Sequence, residues 1–344
     1  MYESFYGLTG KPFQLNPDPA FYFGSRGHKR AFAYLQYGVY QSEGFIIITG
    51  EIGAGKTTIV RSLFEQLDRD QLVGAQIVST QLDADDMLRS VSAAFGLPAK
   101  SVDKATLLAS LEAFLCQLAV HRKRALLVVD EAQNLTPRAI EELRMLSNFQ
   151  LGDRALLQSF LIGQPELRTM MQGPHMQQLR QRVTASYHLG PMDKAETQAY
   201  VEHRLVHVGW KGDPRFDASA FELIHSLSGG IPRRINTLCN RLLLAGFLGE
   251  KHAFEANDVE AIAHEIREEL GPETGIAELK SALREPVMNL SHTSSNGSEA
   301  WLSHVREIED RIERLEKTVG SAVDLLHRLL HRDRVGKPGT PASR

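Results

Sequence analysis

A chain of 344 residues with 42% hydrophobic content holds enough apolar material for one large domain or two to three smaller ones. Its 39 basic and 42 acidic residues leave a net charge of -3, so no global basic excess points to nucleic acid. Two cysteines without C-x-x-C spacing exclude a disulfide framework and suit a reducing compartment; neither a signal peptide nor a run of ~20 apolar residues is present, so no leader or membrane helix is expected.

Residues 1–43 are rich in aromatics and broken by Pro12, Pro17 and Pro19. From His28 to Tyr40 the apolar spacing of Ala31, Leu35 and Val39 predicts a helix. The apolar run Phe45–Thr49 then predicts a buried strand, and Ile59–Leu67 a helix. Between them lies Gly50-Glu51-Ile52-Gly53-Ala54-Gly55-Lys56-Thr57-Thr58. Strand, glycine loop and helix, with Gly50, Gly55, Lys56 and Thr57 at this spacing, fit a phosphate-binding loop. The glycines let the backbone turn tightly, and the freed N–H groups and the helix N-terminus favour an anion. Lys56 is expected to reach the β- and γ-phosphates, and the Thr57 hydroxyl to hold Mg²⁺. Upstream, Pro12 and Phe13 are placed to pack either on the nucleotide base or on the core.

Val73–Val78 reads as a short buried strand. Helices are expected from about Asp85 to Phe95 and from Lys104 to His121. The run Ala125-Leu-Leu-Val-Val-Asp-Glu131 is a buried strand with two acids at its tip, where open α/β sheets bind ligands. Asp130 is suited to the Mg²⁺ shell, and Glu131 to orienting or deprotonating a water. A bound cation offsets the repulsion between adjacent carboxylates. Gln158–Ile162 predicts a further core strand, and Gln164 at its tip either touches the γ-phosphate or satisfies a turn. A polar helix is expected over His175–Arg182, then a strand over Ala185–Leu189. Alternation of strands and helices argues for a parallel sheet covered on both faces.

The character changes after residue 190. Four helical patterns (Glu196–Val208, Ala218–Ser228, Arg233–Leu248, Ala256–Leu270) predict a small all-helical domain. Gly229 to Arg234 turns into the third of these, placing an arginine within reach of a nucleotide. His203 and His207 are spaced i,i+4 without an H-E-x-x-H pattern, so no zinc is expected. Residues 271–300 read as a flexible linker and 301–332 as a coiled coil, whose seam runs from Val305 and Ile308 to Leu326 and Leu329. Residues 333–344 read as a disordered tail.

Loop, Asp-Glu strand, polar strand tip and arginine-bearing helical lid together resemble an AAA+ ATPase. The stretches Tyr6-Gly-Leu-Thr-Gly-Lys-Pro-Phe13, Asp130-Glu-Ala-Gln-Asn-Leu135, Gly163-Gln-Pro-Glu-Leu167 and Gly230-Ile-Pro-Arg-Arg-Ile-Asn236 resemble the general secretion pathway protein A family over about residues 1–270. Within it, Gly24-Ser-Arg-Gly-His-Lys-Arg30 and Ser79-Thr-Gln-Leu-Asp-Ala-Asp-Asp86 look most like the ATPase associated with exosortase (PEP-CTERM) systems. The resemblance implies an α/β P-loop fold over residues 1–190, a lid over 191–270, and ATP and Mg²⁺ as cofactors. It implies Gln164 as first sensor and Arg233 as second sensor. Arg182, with Arg180 as the alternative, would be the arginine finger offered to a neighbouring copy. The expected partners are further copies of the chain, through ATPase interfaces and coiled coil, and a secretion or polysaccharide-assembly system. The expected place is the cytoplasm, at most docked to the inner membrane through a partner. A different reading, an ATP-gated DNA-binding switch of the transposition-helper kind, would use Arg233, Arg234 and Arg241 on phosphates.

Overall fold

The structure is a computed structural model, and it describes residues 1–68, 70–78 and 82–270. The expected linker, coiled coil and tail lie outside the described residues. Five parallel strands form the main sheet: β1 (Phe45–Gly50), β2 (Leu72–Val78), β3 (Arg124–Asp130), β4 (Leu157–Gly163) and β5 (Val183–Leu189). They lie in the order β2-β3-β4-β1-β5. The chain crosses from β1 to the far edge and later returns to the other side of β1. A crevice therefore opens at the carboxyl end of β1, the kind of place where open α/β sheets bind ligands.

Alternate residues of each strand enter different cores. Ile46, Ile48, Leu126, Val128 and Phe160 pack beneath α1 (Arg26–Gln41) and α2 (Lys56–Gln66). Ile47, Leu127, Val129 and Leu161 pack beneath α3 (Ala84–Ala94), α4 (Lys104–Val120) and α5 (Pro137–Leu146). Covering on both faces explains why β1, β3 and β4 are buried along nearly their whole length rather than on alternate residues. The edge strand β2 instead alternates, with Ala75 and Ile77 buried and Val78 at 62% exposure.

Besides the single turn Tyr2–Phe5, two helices escape the sequence patterns, α5 and α6 (Pro165–Gln172). Each opens on a proline, which reads as a break but is well placed at a first helical position, where no N–H is needed. The polar helix expected over His175–Arg182 is only a 3₁₀ turn, Pro174–Met176, and one α-turn, Gln177–Arg180. Here the Arg180 guanidinium bonds back to the carbonyls of Met171 and Gly173 at 2.6 and 2.8 Å, closing the segment on itself.

The lid is built from α7 (Lys194–His207), α8 (Ala218–Ser228), α9 (Pro232–Leu248) and α10 (Ala256–Leu270). Asp193 and Glu196 form a reciprocal capping box at the start of α7. The opening of the chain packs here, not on the sheet: Tyr2, Tyr6, Leu8 and Phe13 share a core with Val201, Leu205, Leu242 and Phe254. The opening residues, expected with the α/β domain, thus share their core with the lid helices. Its aromatic side chains find their apolar partners among the lid helices, and Tyr6 Oη donates to the Lys251 carbonyl at 2.9 Å. Among the described residues no helix is long and apolar enough to cross a membrane.

Candidate active site: a phosphate loop facing an acid pair

The loop leaves β1 at Gly50 and enters α2 at Lys56. Gly53 and Gly55 have φ of 80° and 94°, backbone that suits glycine. At Gly53 a side chain is also excluded by contact, since a Cβ there would come within 2.3 Å of Arg233 Cβ. No side chain caps the N-terminus of α2. Its first-turn N–H groups are therefore free to meet an anion, and the positive end of the helix favours one.

Lys56 is 6% exposed, and its Nζ donates to the Gly50 and Glu51 carbonyls at 2.6 and 3.0 Å. Burial pushes its pKa down, against the upward pull of Glu131, Asp130, Glu51 and Glu166. The cation thus sits over its own loop, with the acid pair close enough to act on it.

β3 delivers the acids. Thr57 Oγ1 donates to Asp130 Oδ2 at 3.0 Å, joining the loop to the strand tip. Asp130 is 4% exposed. Burial raises its pKa, although the bonds from Thr57 and the Glu131 N–H and the charge of Lys56 oppose this. The hydroxyl and carboxylate fit Mg²⁺, a hard cation that takes one or two protein oxygens and completes its shell with phosphate and water. Among the described residues no group of three or more His, Cys, Asp and Glu could form an all-protein metal cage.

Glu131 turns sharply out of the strand at φ 54°, a conformation uncommon for a non-glycine residue. Its Oε2 accepts from Gln133 Nε2 at 2.6 Å and from Gln164 Nε2 at 3.1 Å. Desolvation pushes its pKa up, but the two amides and the charge of Lys56 outweigh it and hold the carboxyl below its ordinary value. Gln133 Oε1 in turn accepts the Gln164 N–H at 3.0 Å. Gln133 therefore ties the tips of β3 and β4 together, a part not read from the sequence. Its place two residues after Glu131, in a single 3₁₀ turn, was the available signal.

The lid reaches the loop through Arg233. Its backbone N–H donates to the Gly53 carbonyl at 3.1 Å, and its side chain lines the same cavity as Lys56, Thr57 and Glu131. This cavity has a volume of about 190 Å³. Its far wall is Gln14–Asp18 with Phe21, Tyr22 and Phe23, not Pro12 and Phe13. Phe13, at 1% exposure, is locked in the lid core, and the Pro12 carbonyl accepts from Arg204 Nε at 2.5 Å. Of the two places open to Phe13, the base or the core, it occupies the core. A fully apolar ring gains more from the closed lid core than from an open cleft. Arg204 also donates to Tyr200 Oη at 2.7 Å and stacks on Phe21, so it fastens the wall to the lid.

Arg182 is not brought to this cavity. It precedes β5 at the amino end of the sheet, where its carbonyl accepts the Phe45 N–H at 2.9 Å. Its guanidinium donates to Ser147 Oγ at 2.9 Å and lines a separate recess with Glu43, Gly44 and Thr184. Within one chain the loop and Arg182 lie at opposite ends of the strands.

The raised pKa of Asp130 carries a stability prediction. A carboxyl whose folded pKa lies above its unfolded value favours folding only when protonated, and that contribution is lost as pH rises through the folded pKa. At neutral pH the ionised, buried group is a cost. Asp130→Asn keeps hydrogen-bonding ability towards Thr57 and the Glu131 N–H without the charge. It is expected to raise the nucleotide-free melting temperature, by about 2–4 °C for each kcal/mol relieved, while removing Mg²⁺-dependent nucleotide binding. A melting temperature several degrees lower would mean that the ionised form is stabilised.

Comparison with known proteins agrees with this architecture. Residues 39–171 match the family model described as AAA domain. The chain carries an AAA domain of the P-loop fold. General secretion pathway protein A of Aeromonas hydrophila is 40% identical over 268 residues, covering 77% of this chain and 48% of the relative. The chain thus spans about half the length of the curated relative it matches. Among solved structures, Cdc6p from Pyrobaculum aerophilum superposes with a TM-score of 0.57 at 15% identity, over 83% of this chain and 74% of that one. The ADP form of the Aeropyrum pernix ORC2 protein gives 0.53 at 14% identity, over 82% and 85%. At these identities the two structures speak to the fold of the AAA domain and its lid.

Proposed function

We propose that this chain is an oligomeric ATPase that binds ATP with Mg²⁺, hydrolyses it, and drives or regulates a secretion or exosortase-linked exopolysaccharide-assembly system. The observation that carries the reading is the junction of loop and strand tip, with Thr57 bonded to Asp130 at 3.0 Å and Glu131 and Lys56 lining one cavity. Loop N–H groups and Lys56 bind the β- and γ-phosphates. Thr57 and Asp130 hold Mg²⁺, which when bound supplies neutralisation of the phosphate oxygens. Glu131 orients the attacking water, and Gln164, held 3.1 Å from Glu131, keeps that carboxylate aligned and senses the γ-phosphate. Arg233 reports from the lid, whose movement is tied to the loop through the Gly53 carbonyl.

Arg182 belongs in this scheme only as a group offered to a neighbouring copy, with Arg180 as the alternative. Its position at the other end of the strands from its own loop is what supports an oligomer. The secretion assignment leans on the name of the Aeromonas hydrophila relative and on the sequence motifs shared with its family. A cytoplasmic chain, brought to the inner membrane by its partner and self-associating through residues 301–332, completes the proposal.

The test is ATP hydrolysis with and without Mg²⁺, alongside molar mass in solution with and without a non-hydrolysable ATP analogue. Mg²⁺-dependent turnover and a rise in mass with the analogue are expected. A chain that binds no nucleotide would end the ATPase reading. Full turnover by a species that stays monomeric would remove Arg182 and the oligomer from it.

A further inference from the structure

Phosphate loops work by aiming peptide N–H groups inward, and each such N–H belongs to a trans peptide whose carbonyl points the opposite way. What holds the carbonyls outward therefore decides how well the cradle is preformed. Beyond the first bond of α2, from the Ile59 N–H to the Gly55 carbonyl, four loop carbonyls have identifiable donors here. Those of Gly50 and Glu51 accept from Lys56 Nζ. The Gly53 carbonyl accepts from the Arg233 N–H of the lid. The Ala54 carbonyl, nearest the start of α2, lies 3.0 Å from Nε2 of His28 on α1.

We infer that His28 is a positioning residue for phosphate binding, holding the Ala54 carbonyl outward so that the Gly55 N–H faces the bound anion. This rests on the nucleotide-binding reading above. The ring is itself held on its other side, with Ser25 Oγ 2.7 Å from Nδ1. A carbonyl can only accept, so Nε2 carries the proton, and in the neutral ring Nδ1 accepts the Ser25 hydroxyl. Burial, which leaves the residue 5% exposed, lowers the pKa of the imidazole and favours that neutral form. Ser25 is also the N-cap of α1, and its Oγ accepts the His28 N–H at 3.3 Å. Chain, cap and ring thus form one unit that fixes Nε2 relative to the first core. Gly55 confirms how closely the ring presses on the loop, because a Cβ there would come within 2.7 Å of Nε2.

A histidine that merely fills space would be replaceable by an apolar residue without consequence for the ligand. A positioning donor would not, and glutamine, whose amide N–H reaches a similar point, would stand in for it. The experiment compares full-length wild type, His28→Leu, His28→Gln and Ser25→Ala by calorimetric titration with MgADP, steady-state ATP hydrolysis, and melting without nucleotide. Loss of one such bond corresponds to roughly a tenfold change in affinity. His28→Leu is expected to weaken MgADP binding by about that factor and to raise KM for ATP more than it lowers kcat. His28→Gln should recover most of the affinity. Ser25→Ala, which keeps the ring but frees its orientation, should show a smaller loss in the same direction, and it serves if His28→Leu does not fold. Wild-type affinity in His28→Leu, or in Ser25→Ala should His28→Leu fail to fold, would overturn the inference. So would an equal loss in His28→Leu and His28→Gln. In either case wild type still binds nucleotide and the functional reading stands. Wild type that binds no MgADP would overturn both.

Discussion

Glu131→Gln is expected to lower ATP turnover by about 10²- to 10⁴-fold while leaving MgATP affinity nearly unchanged. The substitution is close to isosteric, and its amide oxygen can still accept from Gln133 and Gln164, which bond Glu131 Oε2 at 2.6 and 3.1 Å. What it removes is the negative charge and the capacity to take a proton. Desolvation acting alone would raise the Glu131 pKa, but the two amides and Lys56 hold it below the usual glutamate range. The carboxylate is therefore ionised throughout the neutral region. The contribution of Glu131 to turnover should stay level as pH falls through neutrality and be lost only in acid, below where an ordinary glutamate titrates. A weak base of this kind acts more by orienting water than by deprotonating it in the ground state. Steady-state hydrolysis over a pH series measures both points, and equal turnover in the two proteins would remove Glu131 from the mechanism.

Lys56→Ala should act earlier, on binding. Hydrogen bonds to charged groups contribute about 1.5–3 kcal/mol each, so losing the ammonium should weaken MgATP binding by roughly ten- to more than a hundred-fold. The free chain has its own response. Lys56 is buried beside Asp130 and Glu131 and satisfies the Gly50 and Glu51 carbonyls. Removing it leaves two carboxylates without their nearest cation, so the variant should melt below wild type as well. Calorimetric titration with MgATP and a nucleotide-free melt separate the two effects. Affinity within about twofold of wild type would contradict a phosphate-binding role for Lys56.

The centre of the AAA domain is legible in the sequence because its signals are local. Phe45–Ile48 and Ala125–Val129 are unbroken apolar runs since both sheet faces are covered, and glycines mark the loop where the backbone requires them. Long-range choices are not legible in the same way. Nothing in Tyr2, Tyr6 and Phe13 states which core they will join, and they join the lid. Pro137 and Pro165 look like interruptions until the helices they open are seen. His28 acts through a partner distant in sequence, Ala54, and Gln133 through Gln164 as well as its neighbour Glu131, so local spacing shows at most part of what they do. Arg182, which the resemblance assigns to a neighbouring copy, lies at the opposite end of the strands from its own loop, a placement that strand direction decides and no local motif announces.

The most direct measurement is a crystal structure of Glu131→Gln with MgATP. The account predicts the triphosphate within residues 50–57, with its Mg²⁺ on Thr57 Oγ1 and the side chain of Asp130. A nucleotide seated elsewhere, or a metal that touches neither residue, would contradict it.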